Sequence, residues 1–126
     1  MAPELYIIMD YMQNEILIPR SVYDALSAPD EVSIIFRKRD AMLGITEKFI
    51  CDDPYWNSNT KRLKSLWNDF WDEAAGYYRV KNECLLRALS KYIPGFIVNG
   101  IYTVNGNKAD KTNAVLFDLT QAERLT

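Results

Sequence analysis

The stretch Asn14–Ile45, NEILIPRSVYDALSAPDEVSIIFRKRDAMLGI, constrains the fold of this chain more than any other. Glu15 to Ile18 reads as a short strand. Pro19 has no N–H to give to a ladder but is tolerated at a helix entrance. It therefore separates that strand from a short helix over Ser21–Leu26. Val22 and Leu26 are four apart and share the inner face of the helix. Val22 and Tyr23 are mediocre helix formers, so packing rather than propensity must hold it. Ser27–Asp30 is a turn. Val32, Ile34 and Phe36 then alternate with Ser33 and Ile35, which gives a strand with one buried face. Arg37–Asp40 turns the chain, and Met42–Ile45 returns, with Gly44 allowing a close neighbour or a bulge. The order is strand, helix, strand, strand.

Around this stretch the pattern is coarser. Leu5–Met12 reads as a largely buried strand, and Gln13-Asn14 gives a turn signal. Asp52–Asn59 is a polar connector. Over Thr60–Ala75, Leu63, Leu66, Trp67, Phe70, Trp71 and Ala74 recur at spacings of three and four, which predicts an amphipathic helix. Lys61, Arg62 and Lys64 stand in its first turn, and Asp69, Asp72 and Glu73 in its last. Both placements oppose the helix dipole. Side-chain pairs within the helix, salt bridges to neighbours, or a partner facing the basic turn would each account for them. Gly76 ends that helix. Tyr77–Val80 reads as a strand, Glu83–Tyr92 as a helix, and Phe96–Val104 as a strand bent at Gly100. Asn105–Thr112 reads as a polar loop and Ala114–Leu119 as a closing strand. Thr120–Glu123 is a capping-box pattern for a last helical turn.

The second half echoes the first. Ala25-Leu26-Ser27 returns as Ala88-Leu89-Ser90, each at the end of a short helix, and a proline turn follows at Pro29 and at Pro94. Ile45-Thr46-Glu47 is answered by Leu119-Thr120-Gln121. Ala-Leu-Ser is also a common tripeptide, and the two hairpin loops differ in length. Two copies in one chain can cover each other's apolar faces as the subunits of a homodimer do. The expected fold is α+β, with two βαββ units over residues 1–50 and 77–126 forming a pseudo-dimeric small β-barrel. The connector and the Trp-rich helix, residues 51–76, join them. Val22 and Leu89 should then share one core.

Composition narrows the function. The chain has 126 residues, 48% hydrophobic and 25% charged, as globular domains do. Its net charge of −2 lacks the basic surplus of a dedicated DNA binder, so nucleic-acid contact would need a local patch. There is no histidine, and the two cysteines, Cys51 and Cys84, are far apart. A zinc site needs four ligands, and Ser/His or Cys/His catalysis needs an imidazole. The cysteines read as reduced, mostly buried thiols. Asp52-Asp53 has no second set of partners, and no glycine-rich phosphate loop is present. No enzyme, cofactor or metal is expected. Without an apolar run of about 20 residues or a leader pattern, a cytoplasmic protein with no membrane partner is expected.

Two residue sets could carry a non-catalytic role. Arg37, Lys38 and Arg39 stand at a hairpin tip, with Arg20 and with Lys61, Arg62 and Lys64 as further cations that could meet DNA phosphates. The plainer reading is a solvated turn that keeps a sheet edge soluble. Tyr55 and Trp56 lie in the connector and are candidates for contact with a protein partner or a second copy. Trp67 and Trp71 fit the buried helix face instead.

Ile18-Pro19-Arg20-Ser21-Val22-Tyr23-Asp24-Ala25-Leu26, followed by Pro29-Asp30-Glu31-Val32, resembles the core of the AbrB/SpoVT swapped-hairpin family. The tandem arrangement is similar to the MraZ proteins. The resemblance lies mainly in the first half. It implies swapped hairpins closing a pseudo-dimeric barrel, and a DNA-binding transcriptional regulator that reads DNA through hairpin arginines. The alternative is the same fold used as a non-catalytic interaction or assembly module. Arg20 matches a basic position after the proline. The chain departs from the pattern at Asn14-Glu15, where the family often has Gly-Arg or Gly-Gln, and at Tyr23, where it often has arginine. An acidic side chain at Glu15 would repel phosphate.

Overall fold

The computed structural model describes residues 4–27, 31–46, 62–64, 71–72, 76–109 and 113–125. In the first half, β1 (Tyr6–Asp10) and β2 (Glu15–Pro19) form a hairpin whose turn places Asn14 at φ 55°. Pro19 is both the last residue of β2 and the N-cap of α1 (Arg20–Ala25), the double role its missing N–H allows. β3 (Glu31–Arg37) and β4 (Met42–Thr46) form the next hairpin, closed by a 3₁₀ turn over Lys38–Asp40. Two short strands follow, β5 (Arg62–Lys64) and β6 (Trp71–Asp72). The second half runs β7 (Tyr77–Lys81), α2 (Glu83–Ser90), β8 (Ile101–Lys108) and β9 (Ala114–Asp118). A 3₁₀ turn over Leu119–Gln121 and β10 (Glu123–Arg124) complete it.

The strands make one curled antiparallel sheet in the order β5-β3-β4-β9-β8-β1-β2-β7-β6, with β10 added to β8. Its concave face is built by alternation. Ile7 and Met9, Ile16 and Ile18, Leu43 and Ile45, Tyr78 and Val80, Tyr102 and Val104, and Val115 and Phe117 all point inward and are buried. Val22 and Leu26 of α1 and Leu86 and Leu89 of α2 complete the same cluster. Each such side chain contributes about 1.5–3 kcal/mol on burial. Val22 and Leu89 share one core, as the sequence leads one to expect. Of the two expectations for Gly44 the close neighbour holds, because a Cβ there would lie 2.9 Å from Ile35 Cγ1, and Gly44 pairs in register with Ile35 and Leu116.

The two halves are interleaved rather than side by side. β2 pairs with β7 about Leu17 and Arg79, and β4 pairs with β9 about Gly44 and Leu116. Exchanging β2 with β7, β3 with β8 and β4 with β9 maps these pairings onto themselves and each hairpin onto the other. The helices follow the same exchange. Asn113 Nδ2, in the loop of the second hairpin, donates to Leu26 O at the end of α1 (2.9 Å). Phe36 of the first hairpin packs its ring on Tyr92, just past the end of α2 (4.9 Å).

Three local expectations fail. Of the helix expected over Thr60–Ala75, Arg62–Lys64 and Trp71–Asp72 are strands, and the rest of that span lies outside the described residues. The hydrogen bonds of the two strands go to β3 and β7, so the sheet's open edges claim these residues despite their 3.6-residue periodicity. The strand placed at Phe96–Val104 begins only at Ile101 and continues through the supposed loop to Lys108. Asn105 and Asn107 are its outward, exposed positions. Gly106 lies where a Cβ would come within 2.5 Å of Phe117 Cε1. Cys84, expected to be buried, is exposed on α2, whose buried face belongs to Leu86 and Leu89.

Candidate functional site: a groove beside α2

Among the described residues, a concavity lies between the β1–β2 turn, α2 and the turn at Ile97–Gly100, with a volume of about 310 Å³. An aromatic cluster fixes the three elements together. Tyr11 packs edge-on against Phe96 at 4.7 Å and Tyr102 at 6.0 Å, while Phe96 stacks on Tyr102. The Tyr11 hydroxyl donates to Leu86 O on α2 (2.9 Å), and burial pushes its pKa well above the ordinary tyrosine range. The Tyr102 hydroxyl accepts from Ile97 N (2.6 Å), and Gly100 N donates to Ile97 O (3.0 Å). The two bonds close a tight turn that leaves Val98 and Asn99 at its tip.

The opposite rim is set by Asp10. Its carboxylate accepts from Met12 N at 2.9 Å and Gln13 N at 3.2 Å, an Asx-type turn that sends the Met12 side chain outward. Met12 is 65% exposed and Val98 76%, which makes an apolar rim, with Ile97, 45% exposed, next to Val98; among the described residues most other large apolar side chains are buried. Asn14, Asn99 and Ser90 add polar groups, and Glu83 and Arg87 complete the lining. The last two are bonded to each other at 2.6 Å, one helical turn apart. Asn82 caps α2 by accepting from Leu85 N, and its own N–H donates to Asn14 O, so helix and turn share one joint. Sequence reading missed this groove. Its signal was the apolar triplet Phe96-Ile97-Val98 next to Asn99-Gly100, which strand propensity absorbed.

The residues singled out from sequence do not converge. Arg37 makes a two-pronged pair with Asp40, at 2.9 Å and 2.8 Å, so the hairpin tip carries its own counter-charge. Lys38 and Arg39 are exposed at that tip. Arg20 lies on α1 and faces Asp24 at 4.0 Å. α1 is anchored at the Thr46 end of β4, because Thr46 Oγ1 donates to Asn113 O and Asn113 Nδ2 to Leu26 O. The Lys38–Asp40 turn precedes the Met42 end of β4, so Arg20 and the tip cations belong to elements at opposite ends of that strand. Arg62 and Lys64 sit on the edge strand β5, opposite Ser33 and Glu31. Lys61, Tyr55 and Trp56 lie outside the described residues.

Glu15, where the swapped-hairpin pattern often carries arginine or glutamine, has a structural role. Its side chain is 2% exposed and accepts from Arg79 Nη2 at 2.9 Å and Nε at 3.2 Å across the β2–β7 pairing. Among the described residues no helix is long and apolar enough to cross a membrane, and no three acidic, cysteine or histidine side chains gather as a metal site. The chain matches no protein-family model, no curated protein and no solved structure.

Proposed function

We propose that this chain is a non-catalytic protein-interaction module on a swapped-hairpin-like, pseudo-dimeric barrel, and that it works through the groove beside α2. The exposed apolar rim of Met12 and Val98 over an aromatic floor of Tyr11 and Phe96 carries the reading. Contiguous exposed apolar patches on a folded chain mark interaction sites more often than single exposed side chains do. The exchange-symmetric pairing of β2 with β7 and of β4 with β9 supports the pseudo-dimer. The division of the cations between the ends of β4 favours an interaction module over a continuous DNA-binding face. The test is partner capture by a photo-crosslinking side chain placed near the groove, with Met12→Asp/Val98→Asp as the comparison and Lys81→Asp as a surface control. Capture lost in the rim variant and kept in the control is the expected result. Capture unchanged by the rim variant overturns the proposal.

The second reading is a DNA-binding regulator, favoured by exposed Lys38 and Arg39 at the first hairpin tip. It expects a duplex mobility shift that weakens steeply with salt and is lost on Arg37→Ala/Lys38→Ala/Arg39→Ala. A shift that persists in that variant excludes the tip.

A further inference from the structure

We infer that the protein exchanges halves between two copies. The first half of each chain, through β5, pairs with the second half, from β6 onward, of the other. The partner is a second copy of this chain. Exchange rests on the pseudo-dimeric pairing of the halves and names a partner that the groove by itself does not.

Neither half is complete alone. β2 and β7 pair along their whole length, β4 and β9 do the same, and all of β1 pairs with β8. Parting the halves therefore strips β1, β2 and β4 of one ladder each. It also opens the core, in which Ile16 lies opposite Val80, Ile18 opposite Tyr78 and Leu43 opposite Phe117. A half without its complement binds another copy of it in the same register, whichever chain supplies it. Exchange of an identical element is a low-cost route to a dimer for this reason.

The chain divides at a definite place. β5 adds to β3 of the first half and β6 to β7 of the second. The crossing between halves thus lies between Lys64 and Trp71. Seven Cα steps separate those residues, a reach of about 25 Å at full stretch. β5 and β6 are the two ends of the strand path. Laid flat, that path is about 38 Å wide at the usual spacing of neighbouring strands. One chain closes the sheet only by curling it until its ends come within reach. Two chains escape that condition, because each crossing runs from the β5 end of one sheet to the β6 end of the other. Short crossings of this kind invite exchange.

The exchanged dimer recovers every pairing between the halves. It gives up only the advantage of carrying both halves on one chain. That advantage is an effective concentration of millimolar order for a short flexible linker, and it falls as the linker nears its reach. Dimers should accumulate when the chain folds at high concentration and persist on dilution, because separating them breaks the core. Each groove is then built by both chains, with Tyr11 and Met12 from one and Phe96 and Val98 from the other.

The Glu15–Arg79 pair joins the two halves and supplies the test. Glu15→Arg sets two cations against each other and Arg79→Glu two carboxylates, which destabilises each variant as a monomer and as its own dimer. Only a dimer with one chain of each kind restores opposite charges at both β2–β7 ladders. The two full-length variants are unfolded together, refolded at high concentration, and followed by native mass spectrometry and thermal melting. A mixed dimer melting above either variant alone is the expected product. Glu15→Arg/Arg79→Glu in a single chain shows whether the reversed pair is tolerated. If that chain folds and the mixture gives no mixed dimer, the inference is overturned. The parent chain gives an independent readout, in unlabelled and isotope-labelled pools. Co-refolded pools should yield dimers of mixed mass whose share rises with concentration, while pools mixed after folding should stay unmixed. A parent that is monomeric at every refolding concentration, or whose folded dimers mix freely, overturns the inference. Crosslinked capture through Met12 and Val98 does not depend on exchange, so the groove reading stands or falls separately.

Discussion

Replacing Arg79 by methionine should destabilise the protein far more than an exposed ion pair would. The substitution keeps an apolar stem and removes the guanidinium that holds the Glu15 carboxylate at 2.9 Å and 3.2 Å. Glu15 is 2% exposed, so it would be left charged and nearly out of water, whereas Arg79 is 35% exposed. Breaking a fully buried pair from one side costs about 3–5 kcal/mol. Partial access of water on the Arg79 side reduces this to about 2–3 kcal/mol. At this chain length about 1 kcal/mol moves the melting temperature by about 4 °C, so the variant should melt about 8–12 °C lower. Differential scanning calorimetry measures it directly. Glu15→Met/Arg79→Met should recover most of the loss, because removing both partners leaves no orphaned charge. A single variant melting within about 2 °C of the parent, or a double variant worse than the single, refutes the reasoning.

Three further outcomes follow from the packing. Burial and the Tyr77 hydroxyl push the Tyr6 phenol up to about 12, and burial does the same for Tyr78. In the unfolded chain both ionise near their ordinary value of 10.0, so the stability they add is complete below that pH and is lost as pH rises towards about 12. Tyr78→Phe should flatten the fall in stability over that window by about 1.4 kcal/mol per pH unit, read from alkaline chemical-denaturation curves. Gly106→Ala should destabilise by about 1–3 kcal/mol through overpacking against Phe117, and Phe117→Leu in the same chain should relieve part of it in thermal melts. Under the DNA reading, Asp40→Asn removes the carboxylate that neutralises Arg37 and should tighten duplex binding and steepen its salt dependence in mobility-shift titrations.

What the sequence made legible tracks where local and global demands agree. β2, α1, β3 and β4 follow from alternation, Pro19 and the Val22–Leu26 spacing because the same residues that favour each element also fill the core. Leu63 and Trp71 misled for the opposite reason. Periodicity reports which residues are apolar, not which sheet edge needs pairing, and β3 and β7 supply those edges from distant sequence. Asn105 and Asn107 look like loop residues because outward positions of a strand are free to be polar, and only the inward Tyr102 and Val104 betray it. The groove was illegible because its floor joins Tyr11 with Phe96, which lie far apart in the chain. The cations at the hairpin tip were visible, but the Asp40 that clamps Arg37 turns part of that cluster into an internal staple.

The pairing of β1 with β8 sets a condition on how the chain is made. Tyr6 faces Asn105 and Asp10 faces Ile101, so during synthesis β1 waits for β8, some ninety residues later, before that edge is satisfied. During synthesis Ile7 and Met9 have only the β2 hairpin for company, and long-range closure of this kind is slow. Holding that early hairpin in solution until β8 emerges is a task for local turn chemistry, which here falls to Asp10 and Asn14.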